Sequence, residues 1–306
     1  AIYLPRSIET IISIFAVILT GCAYVPIDIR SPQQRIKYIL NDALPTCIIT
    51  RYDLVKNLPS NEYNIFDIAE NQYQYQSNKK GNKVKSNILY AIYTSGSTGL
   101  PKGVLGTHEG LINRIEWMQS AYPILESDIC CFNTSPSFVD SVAEIFSPLA
   151  TATQLHIMSN ESAGNLELLV KEIYYYRVTR LLLGPAVLQM LLNEVDNIQN
   201  MFSHINFFAV SGEEITIQIV RKFRKLFPKV RFVNLYGSTE VAADALYYEI
   251  PSNLENFDRI PIGKPIKNMQ VSLLYDDSVL ASQNSGGEIC LCGVGAVSYT
   301  HLRAHE

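Results

Sequence analysis

Residues 93–103 read Tyr-Thr-Ser-Gly-Ser-Thr-Gly-Leu-Pro-Lys-Gly, placing four Ser/Thr hydroxyls, three glycines and one lysine in a single turn. They follow the apolar run 88–93, which has the composition of a strand. Such a loop offers many N–H and O–H donors with little side-chain bulk, as the crowded oxygens of a polyphosphate require. It is not a Walker loop: Gly96 and Gly99 stand too close together, and Lys102 is followed by Gly103 rather than Ser or Thr. The plainer alternative is a turn-rich surface loop with no ligand. Two more polar segments, Ser211-Gly212-Glu213-Glu214 and Gly237-Ser238-Thr239-Glu240, also follow apolar runs. Ligands of open α/β sheets sit beyond the carboxyl ends of the strands, so the three loops are expected to converge on one crevice.

The elements that carry these loops are legible as periodicity. Helical spacing covers residues 7–20, 31–42, 107–121, 138–150, 165–176, 185–194 and 213–227. Between them lie β-rich runs at 46–50, 88–94, 129–134, 154–158, 179–183, 206–210 and 231–236. This alternation predicts an α/β fold, with parallel sheets flanked by helices. After Tyr247 the pattern changes to strand and turn, clearest at 269–275 and 287–292, which predicts a C-terminal β-rich subdomain. The segment 71–87 is rich in Asn, Gln, Lys and Ser and reads as a surface excursion.

Apolar residues make up 47% of the 306 and charged residues 18%, a globular composition long enough for a large core. A formal net charge of −4 argues against a nucleic-acid or anionic-membrane partner. The basic cluster Arg221, Lys222, Arg224, Lys225, Lys229 and Arg231 alternates with Phe223, Leu226 and Phe227, and reads as a solvated helix face. The six cysteines form no Cys-x-x-Cys pair and the histidines show no ligand spacing, which speaks against zinc. Cys47 and Cys130 sit in apolar runs, so buried reduced thiols and a cytoplasmic setting are expected. Residues 6–22 have the outline of a lipoprotein signal, but Glu9 and the continuation into 23–26 favour a folded helix. No run is long enough to span a membrane.

With these residues in view, the chain resembles the adenylate-forming enzymes, namely acyl-CoA synthetases, luciferases and the adenylation domains of nonribosomal peptide synthetases. Four segments match that family's core motifs in order: Gly21-Cys22-Ala23-Tyr24-Val25-Pro26-Ile27-Asp28, residues 92–103, Asn234-Leu235-Tyr236-Gly237-Ser238-Thr239-Glu240, and residues 287–295. In the third of these, Ser238 stands where the family usually has proline. The resemblance implies ATP and Mg²⁺ as cofactors, and a phosphopantetheine thiol on a carrier domain as a partner. It implies that Thr94, Ser95, Gly96, Ser97, Thr98, Gly99 and Lys102 hold the β- and γ-phosphates. Tyr236 would stack on adenine beside Gly212, Glu213 and Glu214, with Asn234, Gly237 and Ser238 also binding the nucleotide. Thr239 would touch phosphate and Glu240 would hold Mg²⁺, so that Thr239, Glu240 and Lys102 form the catalytic set. The bland alternatives are a core aromatic for Tyr236 and a helix-start carboxylate for Glu240.

The family's α-amino-acid-activating members carry Phe-Asp-x-Ser-Val-x-Glu, whose Asp pairs with the substrate ammonium. Here the stretch is Phe138-Val139-Asp140-Ser141-Val142-Ala143-Glu144, with the acid one residue later. A one-residue step at a helix start moves a carboxylate by about 1.5 Å and about 100°. That displacement suits an amine one methylene further from its carboxylate, and a buried ammonium needs a paired counter-charge. A β-amino acid such as β-alanine is therefore the expected substrate, with Asp140 as its partner. The same displacement occurs in the family's β-amino-acid-activating members, the animal β-alanine-activating kind being the most similar. The remaining pocket positions carried over are Phe138, Ala143, Leu182, Ala209, Ser211, Leu235, Ala243 and Asp244, mostly small or aliphatic as a short substrate needs. Asp244 is a second acidic candidate or simply an exposed residue, and Asp140 is alternatively a helix N-cap.

Residues 1–296 are thus expected to be the N-terminal part of an adenylation domain, incomplete at both ends and inactive alone. Residues 297–306 leave the family pattern and read as a non-native tail. The competing readings are an acyl-CoA ligase for a fatty or aryl acid, which would not need Asp140, and a non-catalytic nucleotide-binding fragment.

Overall fold

The computed structural model describes residues 1–60, 62–69, 86–95, 99–276, 279–280 and 286–297. Residues 71–85 of the polar excursion and the tail from 298 lie outside them. Two compact units make up the chain: Ala1–His108 with Thr134–Val142, and Glu109–Asn133 with Ala143–Ala296.

In the first unit, helix α1 (Ile8–Leu19) opens on Ser7, whose hydroxyl accepts the Thr10 N–H at 3.3 Å. Helix α2 (Gln33–Ala43) buries Ile36, Ile39 and Leu40 on one stripe. Strand β1 (Ile48–Thr50), short helix α3 (Tyr52–Val55) and strand β2 (Ile65–Asp67) follow, with β1 and β2 parallel. Strands β3 (Ile88–Ser95) and β4 (Pro101–Thr107) then form an antiparallel hairpin. The 88–94 run is thus antiparallel to its partner, not parallel as the alternation of elements predicts. Residues 101–103 read as loop in the sequence, but Pro101–Thr107 pairs along its length with β3. Its glycines have a packing reason: a Cβ on Gly106 would lie 2.0 Å from the ring of Tyr90, and one on Gly103 3.1 Å from that of Tyr93. Each ring crosses the partner strand where a glycine leaves room.

The second unit holds α4 (His108–Ala121, save its first residue), β5 (Ile129–Phe132), most of α5 (Asp140–Ala150), β6 (Gln154–Ile157) and α6 (Leu166–Tyr175). There follow β7 (Arg180–Leu183), α7 (Pro185–Glu194), α8 (Ile198–Met201), β8 (Phe207–Val210), α9 (Ile217–Leu226), β9 (Arg231–Tyr236), β10 (Leu246–Glu249) and β11 (Lys264–Pro265). One sheet runs in the order β11-β10-β9-β8-β7-β5-β6, parallel from β9 to β6 and antiparallel at β10 and β11. The sheet is therefore mixed rather than parallel throughout. Strands β12 (Met269–Asp276), β13 (Val279–Leu280) and β14 (Glu288–Gly293) form the separate antiparallel sheet expected after Tyr247.

Apolar cores lie on the two sheet faces. One gathers Phe208, Phe223 and Phe232, with the Phe223 and Phe232 rings 4.2 Å apart; the other gathers Trp117, Tyr122, Phe207 and Leu235. Burying a side chain of this size stabilises the fold by roughly 1.5–3 kcal/mol. The basic face of α9 is only partly solvated. Arg224 is buried, donates to the carbonyls of Val230 (2.6 Å) and Ile250, and its guanidinium lies over the Phe232 ring. All six cysteines are free thiols, with Cys130 and Cys131 buried and Cys47 only partly so. Among the described residues, no helix is long and apolar enough to cross a membrane.

Candidate functional site

The hydroxyl-rich segment is flanked by β3 and β4, whose ends Ser95 and Pro101 pair with each other. Thr94 and Ser95 end β3, and Lys102 stands directly opposite Thr94 on β4. Gly96, Ser97 and Thr98 lie outside the described residues. Gly99 has φ +81°, and a Cβ there would meet nothing within 4 Å, so backbone conformation alone calls for glycine. The base of the hairpin is anchored: the Tyr93 hydroxyl donates to Asp42 at 2.6 Å, and Arg35 donates to the Tyr93 carbonyl at 2.9 Å. Burial and the Asp42 carboxylate raise the Tyr93 pKa, which keeps that hydroxyl a donor.

Also in the first unit, Ser135 donates to Asp28 at 2.7 Å. Burial works against an ionised Asp28, but hydrogen bonds from Arg30 and Ser135 outweigh it and draw the pKa down to about 2. This contact fixes the turn from which α5 starts. There Phe138 is 62% exposed, Val139 is buried, and Asp140 is half-buried in the first helical turn. Ser141 closes the turn by donating to the Phe138 carbonyl at 2.6 Å.

In the second unit, Gly212 follows β8 with φ +93°, and Gly212, Glu213 and Glu214 are exposed beside buried Ser211. The other motif is the connection from β9 to β10. A Cβ on Gly237 would sit 1.8 Å from the Ala243 carbonyl oxygen, so only glycine fits. The Ser238 carbonyl accepts the N–H groups of Val241 (3.2 Å) and Ala243 (3.1 Å). One 3₁₀ turn, Thr239–Val241, turns Val241 inward and leaves Thr239 and Glu240 half-exposed. Ala242 and Ala243 then take left-handed φ values of 57° and 80°, strain that a functional loop commonly stores. Gly295 supports the turn from below, since a Cβ there would lie 3.0 Å from the Val241 carbonyl oxygen. Tyr236 is half-exposed at the end of β9. The amide of Asn234 points away from solvent and donates to the Pro261 carbonyl at 3.0 Å, a framework role.

A cavity of about 70 Å³ within the second unit brings together Ala143, Leu182 and Ala209 of the expected acid-binding set. Leu235 and Ala243 are buried, as is Asp244, which is 1% exposed. Asp244 is therefore not an exposed residue. Its Oδ2 accepts from Arg114 Nε at 2.8 Å and from a second guanidinium nitrogen.

The profile of the AMP-binding enzyme family matches residues 1–298. The chain belongs to that family. Tyrocidine synthase 1 of Brevibacillus parabrevis is 30% identical over 298 residues, 96% of this chain and 27% of that protein. The β-alanyl-bioamine nonribosomal peptide synthetase ebony of Drosophila melanogaster is 30% identical over 327 residues, covering 100% of this chain and 37% of that protein. The chain thus spans between about a quarter and two fifths of these two relatives. The nonribosomal peptide synthetase FmoA3, solved bound to AMPPNP, superposes with a TM-score of 0.87 at 23% identity, covering 97% of this chain and 32% of that one. That similarity fixes the fold.

For an AMP-binding enzyme, the donor chemistry of the 3₁₀ turn fits Mg²⁺. Glu240 offers one hard, half-exposed carboxylate, and Mg²⁺ is held by one or two carboxylates together with substrate phosphates. Arg114, the partner of Asp244, is a residue missed from the sequence. Arg114 shares the buried face of α4 with Leu111, Trp117 and Met118, and a cation on an apolar stripe signals a buried carboxylate partner.

Proposed function

We propose that this chain is the N-terminal part of an amino-acid adenylation domain, residues 1–296, whose full protein activates β-alanine or a close relative. The observation that carries this reading is the exchange at the start of α5. Val139 is buried where α-amino-acid-activating members place their acid, and Asp140 presents the carboxylate one residue on, half-exposed. The ebony relative, whose name specifies a β-alanyl product, supports the same substrate class.

Thr94, Ser95, Ser97, Thr98 and Lys102 hold the β- and γ-phosphates, Tyr236 stacks on adenine beside residues 212–214, and Thr239 donates to phosphate. Glu240 would hold Mg²⁺, which when bound neutralises phosphate charge. The substrate carboxylate attacks the α-phosphorus in line; a carboxyl O–P bond forms as the bond to the β-phosphate oxygen breaks, and pyrophosphate leaves with that electron pair. Two anions meet in this step, so donors and positive charge aimed at the phosphates supply most of the acceleration. A phosphopantetheine thiol of a carrier domain then attacks the acyl carbon; a C–S bond forms as the acyl C–O bond of the anhydride breaks, and AMP leaves with that electron pair as the thiol loses its proton, in a reducing, cytoplasmic setting.

Amino-acid-dependent ATP–pyrophosphate exchange by the full-length protein tests the reading. Exchange driven by β-alanine is expected. Exchange driven only by fatty or aryl acids would replace it with the acyl-CoA ligase reading, and nucleotide binding without exchange would replace it with a non-catalytic role.

A further inference from the structure

The cavity that holds Ala143, Leu182 and Ala209 extends along α5 to Ser147, one turn beyond Ala143 on the same face. Ser147 is 5% exposed, and its Oγ has no hydrogen-bond partner among protein groups. A helical serine ordinarily donates to the carbonyl four residues back; this one does not, and it lines the cavity instead. A buried hydroxyl without a partner costs about 1–3 kcal/mol, so its presence needs a reason.

The charged groups around the same cavity are already engaged. Arg114 is held by Asp244, and Arg180 donates to the carbonyls of Tyr122 (2.9 Å) and Pro123 (3.2 Å). Glu144 accepts the Asn133 N–H at 3.1 Å. Burial pushes the Cys130 thiol up to about 12, so that wall stays neutral. Met118, Ile124 and Phe207 supply apolar surface. Among these lining groups the polar contact left open is the neutral Ser147 hydroxyl.

We infer that this cavity is a second chamber of the acid-binding pocket, taking a neutral, hydrogen-bonding substituent of the activated amino acid with Ser147 as the residue that reads its tip. The inference rests on the adenylation reading above. At about 30 Å³ per water-sized group, 70 Å³ admits two or three non-hydrogen atoms. A hydroxymethyl or carboxamide group fits, because the Ser147 hydroxyl can both donate to it and accept from it.

The test compares three acids in ATP–pyrophosphate exchange by the full-length protein: β-alanine, 3-amino-4-hydroxybutanoate and its methyl counterpart 3-aminopentanoate, each enantiomer separately. The hydroxyl acid is expected to exceed 3-aminopentanoate about tenfold in kcat/KM, the value of one hydrogen bond of ordinary strength. Ser147→Ala should erase that ratio, and Ser147→Thr, which keeps a hydroxyl, should retain most of it. The wild-type comparison decides the matter even if a variant fails to fold. Exchange with β-alanine but with neither substituted acid would overturn the chamber alone, as would a ratio unmoved by Ser147→Ala in a folded variant. Exchange with no amino acid would overturn the chamber together with the reading beneath it.

Discussion

Arg114 on α4 and Asp244 after the 3₁₀ turn form an ion pair in which the two side chains are 4% and 0% exposed. The pair joins elements 130 residues apart in sequence and fixes the far end of the loop that carries Thr239 and Glu240. Breaking one side of such a pair strands a buried charge. Arg114→Met is expected to destabilise the fold by about 3–5 kcal/mol. Arg114→Met with Asp244→Leu should recover much of that loss, because two apolar groups leave no charge unpaired. Urea unfolding of the two variants checks both statements.

Glycines of the two motifs answer to different constraints, and alanine substitution separates them. At Gly237 a methyl group would meet the Ala243 carbonyl oxygen at 1.8 Å, so the loop must move. Gly237→Ala should cost about 3 kcal/mol or more. At Gly99 only the left-handed backbone is at stake, and Gly99→Ala should cost about 1–2 kcal/mol. Thermal denaturation of the pair would show the difference.

Acid stability should report Asp28. Its folded pKa of about 2 lies below the ordinary 3.8. Its contribution is therefore complete above about pH 4 and is lost as the pH falls towards 2. Allowing for its partial exposure, that contribution is of order 1 kcal/mol. Asp28→Asn should lower stability at pH 6 and flatten the decline between pH 4 and 2, measurable by urea titration at each pH.

Much of the fold was legible because apolar periodicity tracks burial. The helices expected at 7–20, 185–194 and 107–121 appear as Ile8–Leu19, Pro185–Glu194 and His108–Ala121. Strand β4 was not legible: Pro101, Gly103 and Gly106 look like loop residues, and only the rings of Tyr93 and Tyr90 lying over them explain the choice. Antiparallel β10 escaped for a similar reason, since its pairing with β9 is set by the hairpin that Gly237 permits. At the site, motif order pointed to the residues around Tyr236, but not to the buried fate of Asp244 or the framework role of Asn234. Both depend on partners distant in sequence, Arg114 and Pro261. Arg224 shows the same limit, because a basic residue on a basic helix face gives no sign that it turns inward to carbonyls.

In the proposed function the position of the acid at the start of α5 selects the substrate, so that is where the most direct measurement lies. The full-length protein, its Asp140→Ala variant and the exchanged Val139→Asp/Asp140→Val variant would be compared for kcat/KM in ATP–pyrophosphate exchange with β-alanine and with alanine. The expected result is a wild type driven by β-alanine, a loss of about 100-fold or more in Asp140→Ala, and a preference shifted towards alanine in the exchanged variant. A wild type driven by alanine alone, or an Asp140→Ala variant that keeps its β-alanine-dependent exchange, would contradict the assignment of Asp140 to the substrate amine.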